Sequence, residues 1–324
     1  MNNQKTTLNH NLHRNISKLI KDAESILIIS HIRPDGDAIG SLLGLGLSLQ
    51  KVGKSTQMIL VDGVPDLFLH LPGNEKVVKD SITKYDLSIV VDCSDLDRTG
   101  YEFYNKKPDI NIDHHVTNTN FAQYNIVESD SVATAAVLAN YLPHWDLPID
   151  KDVSECLITG IITDTIGFRT SNMNAFAFRT VADLLENGAN LSDLYFKAII
   201  NRSFEAAKFW GVGLSKMSKE NELIWSVITN KERQLSTYNQ RDDAELSNFL
   251  STIDDSSISI LFMEQQNGSV KVSWLAKPGY DVAKIASDFG GGGHQAAAGA
   301  DINDTLEAVV EKVLAETKEV LANH

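Results

Sequence analysis

Cysteine is scarce in this chain, which has only Cys93 and Cys156 among its 324 residues. Two thiols are too few for a disulfide framework or a cysteine-ligated zinc site. They agree with a reducing compartment, so we expect a cytoplasmic protein.

Long apolar runs are also missing, since the longest uncharged stretch, Ser131 to Trp145, is shorter than the ~20 residues of a membrane span. Met1 to Asn15 lacks the apolar core of a secretory signal, and we expect no membrane association.

Positive charge is in short supply, with 29 Lys and Arg against 43 Asp and Glu and a net charge of −14. A protein that grips long nucleic acid must neutralise many phosphates, so we expect no duplex DNA partner. A small phosphorylated substrate remains compatible, because bound metal cations can offset a local acidic cluster. The apolar content of 43% is that of a globular chain, and the length accommodates two domains of about 100–200 residues each.

The first half of the chain alternates short β-branched runs with helical patterns. The predicted strands are Ser25–Ser30, Ser55–Val61, Asp86–Val91 and Asp109–Ile112, and the predicted helices are Ala38–Val52, Asp130–Leu142, Val153–Ile162 and Asn174–Asn187. This alternation predicts an α/β fold with a mostly parallel sheet flanked by helices.

The pattern changes near residue 190, where Leu191–Leu214 is typical of one helix that could bridge two domains. Beyond it, two strands flank Gln265–Gly268, a good hairpin signal, and short helices precede and follow them. We therefore expect a first domain over 1–195, a helical linker over 196–217, and a second, smaller mixed α/β domain over 218–324.

Carboxylate and imidazole side chains follow the predicted strands at the points where these strands end. They are His31, Asp35 and Asp37 after the first strand, Asp92 after the third, Asp113, His114 and His115 after the fourth, and Asp164 after the apolar run Leu157–Thr163. In open parallel sheets, ligands bind at the carboxyl ends of the strands, so these groups should converge on one rim.

Packed carboxylates repel one another and take up protons unless cations hold them. Oxygen and imidazole ligands without thiolate suit Mn²⁺ or a similar divalent metal. The candidate ligands are His31, Asp35, Asp37, Asp92, His114 and Asp164. They are too many for one ordinary site and fit two metals about 3.5–4 Å apart, as in phosphoester hydrolysis. Taken singly, Asp35 could belong to a turn and Asp37 to a helix cap. Their joint occurrence at successive strand ends favours the metal interpretation.

A glycine run, Gly290–Gly293, precedes His294. Glycines permit positive φ and let successive backbone N–H groups face a phosphate, although a flexible linker has the same composition. His294 and the following Ala296–Gly299 favour a packed, functional loop. In the first domain, Gly44 and Gly46 form no dinucleotide fingerprint after a strand, and we interpret them as sites of close helix packing.

Six segments of the chain resemble the motifs of one family, the DHH phosphoesterases with a DHH-associated C-terminal domain. They are Ser30–Ser41, Val91–Asp95, Asn111–His115 and Thr163–Arg169 for the DHH domain, and Gly290–His294 with Ala297–Gly299 for the second domain. Within this family, a two-domain chain of this length is most similar to the nanoRNases that also dephosphorylate 3′-phosphoadenosine 5′-phosphate (pAp).

The resemblance implies two Mn²⁺ ions per active site, with Mg²⁺ or Co²⁺ as substitutes. One ion would be held by His31, Asp35 and Asp92, and the other by Asp37, Asp92, His114 and Asp164. Asp92 is common to both sets and would form the bridge. Asp113 would orient a ligand histidine, and His115 would face the scissile phosphate. Substrate contacts would come from Arg169 and from Gly291, Gly292, Gly293 and His294.

The implied reaction is hydrolysis of short single-stranded RNA to mononucleotides and of the phosphomonoester of pAp. Within the family, a linear pApA hydrolase, a longer-chain single-strand exonuclease and an inorganic polyphosphatase are alternatives. A degenerate nucleotide-binding regulatory protein is an alternative of another class. Leu275 stands where the family usually has a substrate-binding Arg, which puts substrate identity in question. The oligomeric state stays open, a homodimer included.

Overall fold

The computed structural model describes residues 10–80, 84–103, 107–238 and 243–322. The chain divides into two units, 1–201 and 202–324, so their boundary falls inside the segment 196–217 that the sequence suggests as a linker. Within the described residues, no helix combines the length and the apolar content needed to cross a membrane.

The first unit alternates helices with short strands, and it confirms the predicted α/β class. Its helices are α1 (His10–Asp22), α2 (Gly36–Lys51), α3 (Thr134–Tyr141), α4 (Lys151–Asp164), α5 (Ala175–Glu186) and α6 (Leu191–Tyr195). Its strands are β1 (Ser25–Ile29), β2 (Ser55–Ile59), β3 (Val77–Val78), β4 (Leu87–Val91), β5 (Ile110–Asp113) and β6 (Tyr124–Val127).

The six strands form a parallel sheet in the order β3-β2-β1-β4-β5-β6. The strand order reverses between β1 and β4, and ligands of doubly wound sheets bind in the crevice at that point. Ile29 of β1 pairs with Val90 of β4. His31 and Asp92, two residues further along each strand, therefore emerge side by side at this crevice.

Helices α2 and α4 pack at very close range through glycine. A Cβ on Gly40 would lie 2.4 Å from the carbonyl oxygen of Cys156, and one on Gly44 would lie 2.7 Å from Leu157 Cδ2. The predicted helix packing at Gly44 is confirmed. At Gly46 the close neighbour is instead a strand, because a Cβ there would lie 2.2 Å from Met58 Sδ.

The second unit contains a mixed sheet with helices on both faces, which confirms the predicted mixed α/β class. Its helices are α7 (Phe204–Ser215), α8 (Asn230–Ser236), α9 (Leu246–Leu250), α10 (Val282–Asp288) and α11 (Leu306–Ala322). Its strands are β7 (Ser218–Glu220), β8 (Leu223–Ile228), β9 (Ile258–Glu264), β10 (Val270–Ala276), β11 (Gly292–His294) and β12 (Ala297–Ile302). Their order is β11-β12-β10-β9-β8-β7, and β8 and β9 run parallel while the other neighbours are antiparallel.

Two predictions about local structure are wrong. The single helix over Leu191–Leu214 is broken: a π-helical turn, Phe196–Ile200, follows α6, and Asn201 is extended. The Ser203 side chain then accepts a hydrogen bond from Ala206 N, so it caps a new helix instead of continuing the old one. The glycine run is not wholly a loop, because Gly292–His294 pairs with β12 as an edge strand.

Candidate metal centre

Asp92 is the first residue after β4, and it stands between two imidazoles. Its Oδ2 lies 3.5 Å from His31 Nε2, and its Oδ1 lies 3.9 Å from His114 Nε2. Its backbone has a left-handed φ of +51°, held by a 2.9 Å hydrogen bond from Asp92 N to the Ile112 carbonyl. Strain of this kind is characteristic of functional positions, and here it presents both carboxylate oxygens to different partners.

Both imidazoles are oriented by main-chain carbonyls. His31 donates from Nδ1 to Ile32 O at 2.8 Å, and His114 Nδ1 lies 3.3 Å from Ser131 O. With the proton on Nδ1, each Nε2 keeps a lone pair for a metal. The Nε2–carboxylate distances of 3.5–4.0 Å are too long for hydrogen bonds, as expected for separate ligands of a cation.

The candidate ligands form groups whose ligand atoms lie within 4.8 Å of one another. The groups are His31 with Asp35 and Asp92, Asp37 with His114 and Asp164, and Asp92 with His114 and His115. The first two groups match the two sets that the resemblance implies, apart from Asp92 in the second. Asp92 reaches that second group through its Oδ1, which faces His114.

Asp37 is almost fully buried and joins the centre to the start of α3. Its Oδ2 accepts a 2.7 Å hydrogen bond from Thr134 N, and its Oδ1 accepts a 2.9 Å bond from Ala135 N. Asp35, rather than Asp37, caps α2 by accepting from the N–H groups of Asp37 and Ala38. Both carboxylates therefore support the fold and also face the candidate centre.

The buried carboxylates strongly perturb one another. Burial, followed by the charges of Asp92 and Asp164, raises the pKa of Asp37 well above its usual range. Burial and the charges of Asp35 and Asp92 do the same to the pKa of Asp164. Burial would raise the pKa of Asp92 too, but the polar contact with the His31 imidazole 3.5 Å away and the charges of His114 and His115 hold it below the usual range. Such a donor set fits divalent cations, which would take the place of the bound protons.

His115 differs from its neighbour His114 because a carboxylate holds its ring. His115 Nδ1 donates to Asp113 Oδ1 at 2.7 Å, and Asp113 is fully buried at the end of β5. Burial lowers the pKa of His115, but this hydrogen bond and the charges of Asp92 and Asp113 outweigh it and raise the pKa to about 9. Asp113 therefore orients the ring of His115, whereas main-chain carbonyls orient the rings of His31 and His114.

Arg169 follows a left-handed turn that begins two residues after Asp164. Ile166, Gly167 and Phe168 have φ values of +49°, +69° and +68°. The turn is closed by hydrogen bonds from Gly167 N to Ile162 O at 2.7 Å and from Arg169 N to Thr165 O at 2.8 Å. Arg169 itself is exposed, and its Nε donates to Ile166 O.

In the second unit, the glycine run forms a close contact with β12. A Cβ on Gly291 would lie 2.2 Å from the Gly299 carbonyl oxygen, and Gly293 has a φ of +149°. Gly292 pairs directly with Gly299 at the edge of the sheet. His294 ends β11, and its side chain lies outside the described part of the chain.

Sequence reasoning missed two side chains that contact the candidate residues. Thr134 Oγ1 donates to Asp92 Oδ1 at 2.9 Å, and Asn118 Nδ2 donates to Asp113 Oδ2 at 2.6 Å. Thr134 begins α3, 42 residues after Asp92 in the chain, so no local pattern connects the two. Asn118 follows Asp113 by five residues and could have been suspected only from its proximity in the chain.

Comparisons with known proteins agree with this architecture. The model of the DHH family, N-terminal domain, matches residues 25–161, and the model of the DHHA1 domain matches residues 228–323. A bifunctional oligoribonuclease and PAP phosphatase NrnA of Thermus thermophilus is 27% identical over 319 residues, covering 95% of this chain and 94% of the relative. The protein of the same name from Bacillus subtilis is 23% identical over 308 residues, covering 93% and 96%.

Solved structures show the same fold. An exopolyphosphatase-related protein from Bacteroides fragilis superposes with a TM-score of 0.88 at 25% identity, covering 97% of this chain and 98% of that one. RecJ of Thermus thermophilus, solved with Mn²⁺, gives a TM-score of 0.53 at 13% identity and covers 97% of this chain and 55% of its own. The chain contains a DHH domain and a DHHA1 domain, and the two relatives named NrnA share both of its units over nearly their whole length. It therefore belongs to the DHH family of phosphoesterases.

Proposed function

We propose that this protein is a cytoplasmic Mn²⁺-dependent phosphoesterase that hydrolyses short oligoribonucleotides to mononucleotides and dephosphorylates pAp. The observation that carries the proposal is Asp92, whose two oxygens face His31 and His114 separately. A carboxylate in this position suits a bridge between two cations. The names of the Thermus and Bacillus relatives supply the substrate class.

Two divalent cations, when bound, would activate a water and polarise the phosphoryl oxygens. One ion would be held by His31, Asp35 and Asp92, and the other by Asp37, Asp92, His114 and Asp164. His115 is oriented through Nδ1 by Asp113, and in its protonated form its Nε2 would donate to a phosphoryl oxygen or to the leaving oxygen. In this assignment His31 and His114 bind metal, whereas His115 binds the substrate. The Nδ1 partners support this difference, because main-chain carbonyls contact His31 and His114 and a carboxylate contacts His115.

We assign substrate contacts to Arg169 and to the second unit's glycine run. The residues assigned in and beside that run are Gly291, Gly292, Gly293 and His294. Gly292 and Gly293 are exposed on an edge strand, where main-chain groups on one side pair with no other strand of the described residues. Such N–H groups can receive a phosphate at close range, because no side chain stands in the way.

A substrate panel tests the proposal. It contains pAp, linear pApA, diribonucleotides, a longer single-stranded RNA, pyrophosphate and polyphosphate, each assayed with Mn²⁺ and after exhaustive chelation. We expect turnover of diribonucleotides and pAp, its loss on chelation, and recovery with Mn²⁺ better than with Ca²⁺, which prefers larger all-oxygen shells. Full activity in protein with no detectable metal contradicts the metal assignment.

The same panel decides among the alternatives. Preference for pApA would indicate a linear dinucleotide hydrolase, and preference for long RNA would indicate a single-strand exonuclease. Turnover of polyphosphate or pyrophosphate alone would indicate an inorganic phosphatase. Nucleotide binding without any turnover would indicate a regulatory protein. The surplus of acidic residues, 43 against 29 basic ones, argues against the long-RNA enzyme, which needs a basic groove.

A further inference from the structure

We propose that Asn118 is a positioning residue for the hydrolysis, acting through Asp113 on His115. The proposal rests on the function proposed above. Asn118 Nδ2 donates to Asp113 Oδ2 at 2.6 Å, while Asp113 Oδ1 accepts from His115 Nδ1 at 2.7 Å. Each oxygen of this buried carboxylate thus has its own donor, and the two bonds together fix the plane of the carboxylate.

The orientation of the Asn118 amide is itself determined. Its Oδ1 accepts a 2.7 Å hydrogen bond from Asn120 N, which only an oxygen can do. The amide nitrogen must therefore face Asp113, and it also lies 2.7 Å from Asn111 Oδ1. Asn111 in turn donates from Nδ2 to the Cys93 carbonyl, so its own oxygen is the atom that faces Asn118.

The consequence for His115 is geometric. A carboxylate held by one partner can rotate, and the imidazole bonded to it would rotate as well. With Asn118 in place, the direction of His115 Nε2 is set by a chain of three hydrogen-bonded side chains that begins in the loop after β5. Removing such an outer partner of a functional histidine typically costs about 10–100-fold in activity.

The substitution Asn118→Asp isolates this effect. It keeps the shape and the oxygen that accepts from Asn120 N, but it replaces the donor to Asp113 with a second carboxylate oxygen. We expect kcat on a diribonucleotide to fall about 10–100-fold with a nearly unchanged KM. Asn118→Ala removes the donor without adding charge and should give a loss of the same order.

Asn125→Asp is the matched control. Asn125 lies on the neighbouring β6, and its side chain exchanges hydrogen bonds with the main chain of Ala122. This variant also loses an amide donor and gains a negative charge, yet among the described residues the hydrogen bonds of Asn125 go to Ala122 and not to Asp113. Its kcat and KM should stay within about twofold of the parent, as expected of a substitution away from the reacting groups.

A spectroscopic measurement on metal-free protein separates positioning from general destabilisation. In ¹⁵N-histidine-labelled protein, the Nδ1 proton of His115, assigned by its loss in His115→Gln, should shift in both Asn118 variants and not in Asn125→Asp. A merely structural role would reduce the folded fraction and leave this resonance in place, which would overturn the proposal.

Unchanged kcat in both folded Asn118 variants would overturn the proposal as well. If the parent hydrolyses nothing in the panel, the proposed function fails, while the resonance still reports on the linkage.

Discussion

At the scale of single residues, Asp92 combines a left-handed backbone with the carboxylate that we propose as the bridge, and these two demands can be separated. Asparagine tolerates positive φ and keeps the shape of Asp92, so Asp92→Asn removes mainly the charge. We expect kcat to fall 10³-fold or more, equivalent to about 4 kcal/mol of transition-state stabilisation. Asp95→Asn is the control, because Asp95 Oδ1 only accepts a turn bond from Asp97 N among the bonds described. Near-normal turnover of Asp92→Asn would exclude a bridging role.

Leu275 gives a second prediction at this scale. Trp274 is buried against Phe289 and donates from Nε1 to Thr317, so it belongs to the core, as alternation along β10 predicts. Leu275 lies on the opposite face, paired with Ala297 and only half-buried. Leu275→Arg should lower KM for pAp and for a diribonucleotide about tenfold, because a regained charged contact is worth about 1.5–3 kcal/mol. An unchanged KM in the folded variant would mean that this face does not receive the phosphate.

Lys277 provides the companion measurement. Its Nζ donates to the carbonyls of Ile253 and Asp254, which ties it to the loop before β9. We therefore expect Lys277→Ala to lower the unfolding temperature and to leave KM unchanged. A raised KM at unchanged stability would identify Lys277 as the substrate anchor in place of an arginine.

The candidate ligands are predictable from sequence because the topology of a parallel sheet brings strand ends together whatever the exact packing. His31 and Asp92 need only the register of β1 and β4 to become neighbours. The side chains that orient the residues of the centre are not predictable in this way. Thr134 and Asn118 reach the centre through contacts that depend on where a helix and a loop come to rest, and these contacts have no periodic signature.

At the scale of elements, helices α2 and α4 pack closely against each other. Gly40→Ala would place a Cβ 2.4 Å from a backbone carbonyl, which cannot move without moving α4. Overpacking of this kind costs about 1–3 kcal/mol. In Gly211→Ala, on an exposed part of α7, the new Cβ would meet no described atom within 4 Å beyond its chain neighbours and the backbone of its own helix. The free energy of unfolding should instead rise by about 0.5–1 kcal/mol. Urea unfolding of both variants checks the opposite signs.

The elements that sequence patterns predicted poorly are those with weak or competing local signals. The periodicity of Leu191–Leu214 continues across Asn201, but the Ser203 side chain binds Ala206 N and starts a separate helix. Strand β11 consists largely of glycine, so it carries no alternation, and only its pairing with β12 makes it a strand. The short edge strand β6 and helix α1 also escaped the prediction.

At the scale of the whole molecule, the net charge is −14. Cations bound to so acidic a chain would stabilise its folded state in addition to serving the reaction. A ligand at a hundredfold excess over its Kd stabilises the folded state by about 2.7 kcal/mol. Mn²⁺ should therefore slow hydrogen exchange in peptides from α3, whose first N–H groups bind Asp37, more than in peptides from α11. The Asp92→Asn variant should lose this protection. Equal slowing in both helices would indicate nonspecific binding instead.

The double duty of Asp37 also constrains how descendants of this fold can diverge. A lineage that abandoned catalysis could lose His31 or His114, whose rings bond only to nearby carbonyls through Nδ1 among the bonds described, at modest structural cost. It could not as easily lose Asp37, because two main-chain N–H groups at the start of α3 would be left buried and unsatisfied. Inactive descendants should therefore retain Asp37 even where His31 and His114 have been replaced.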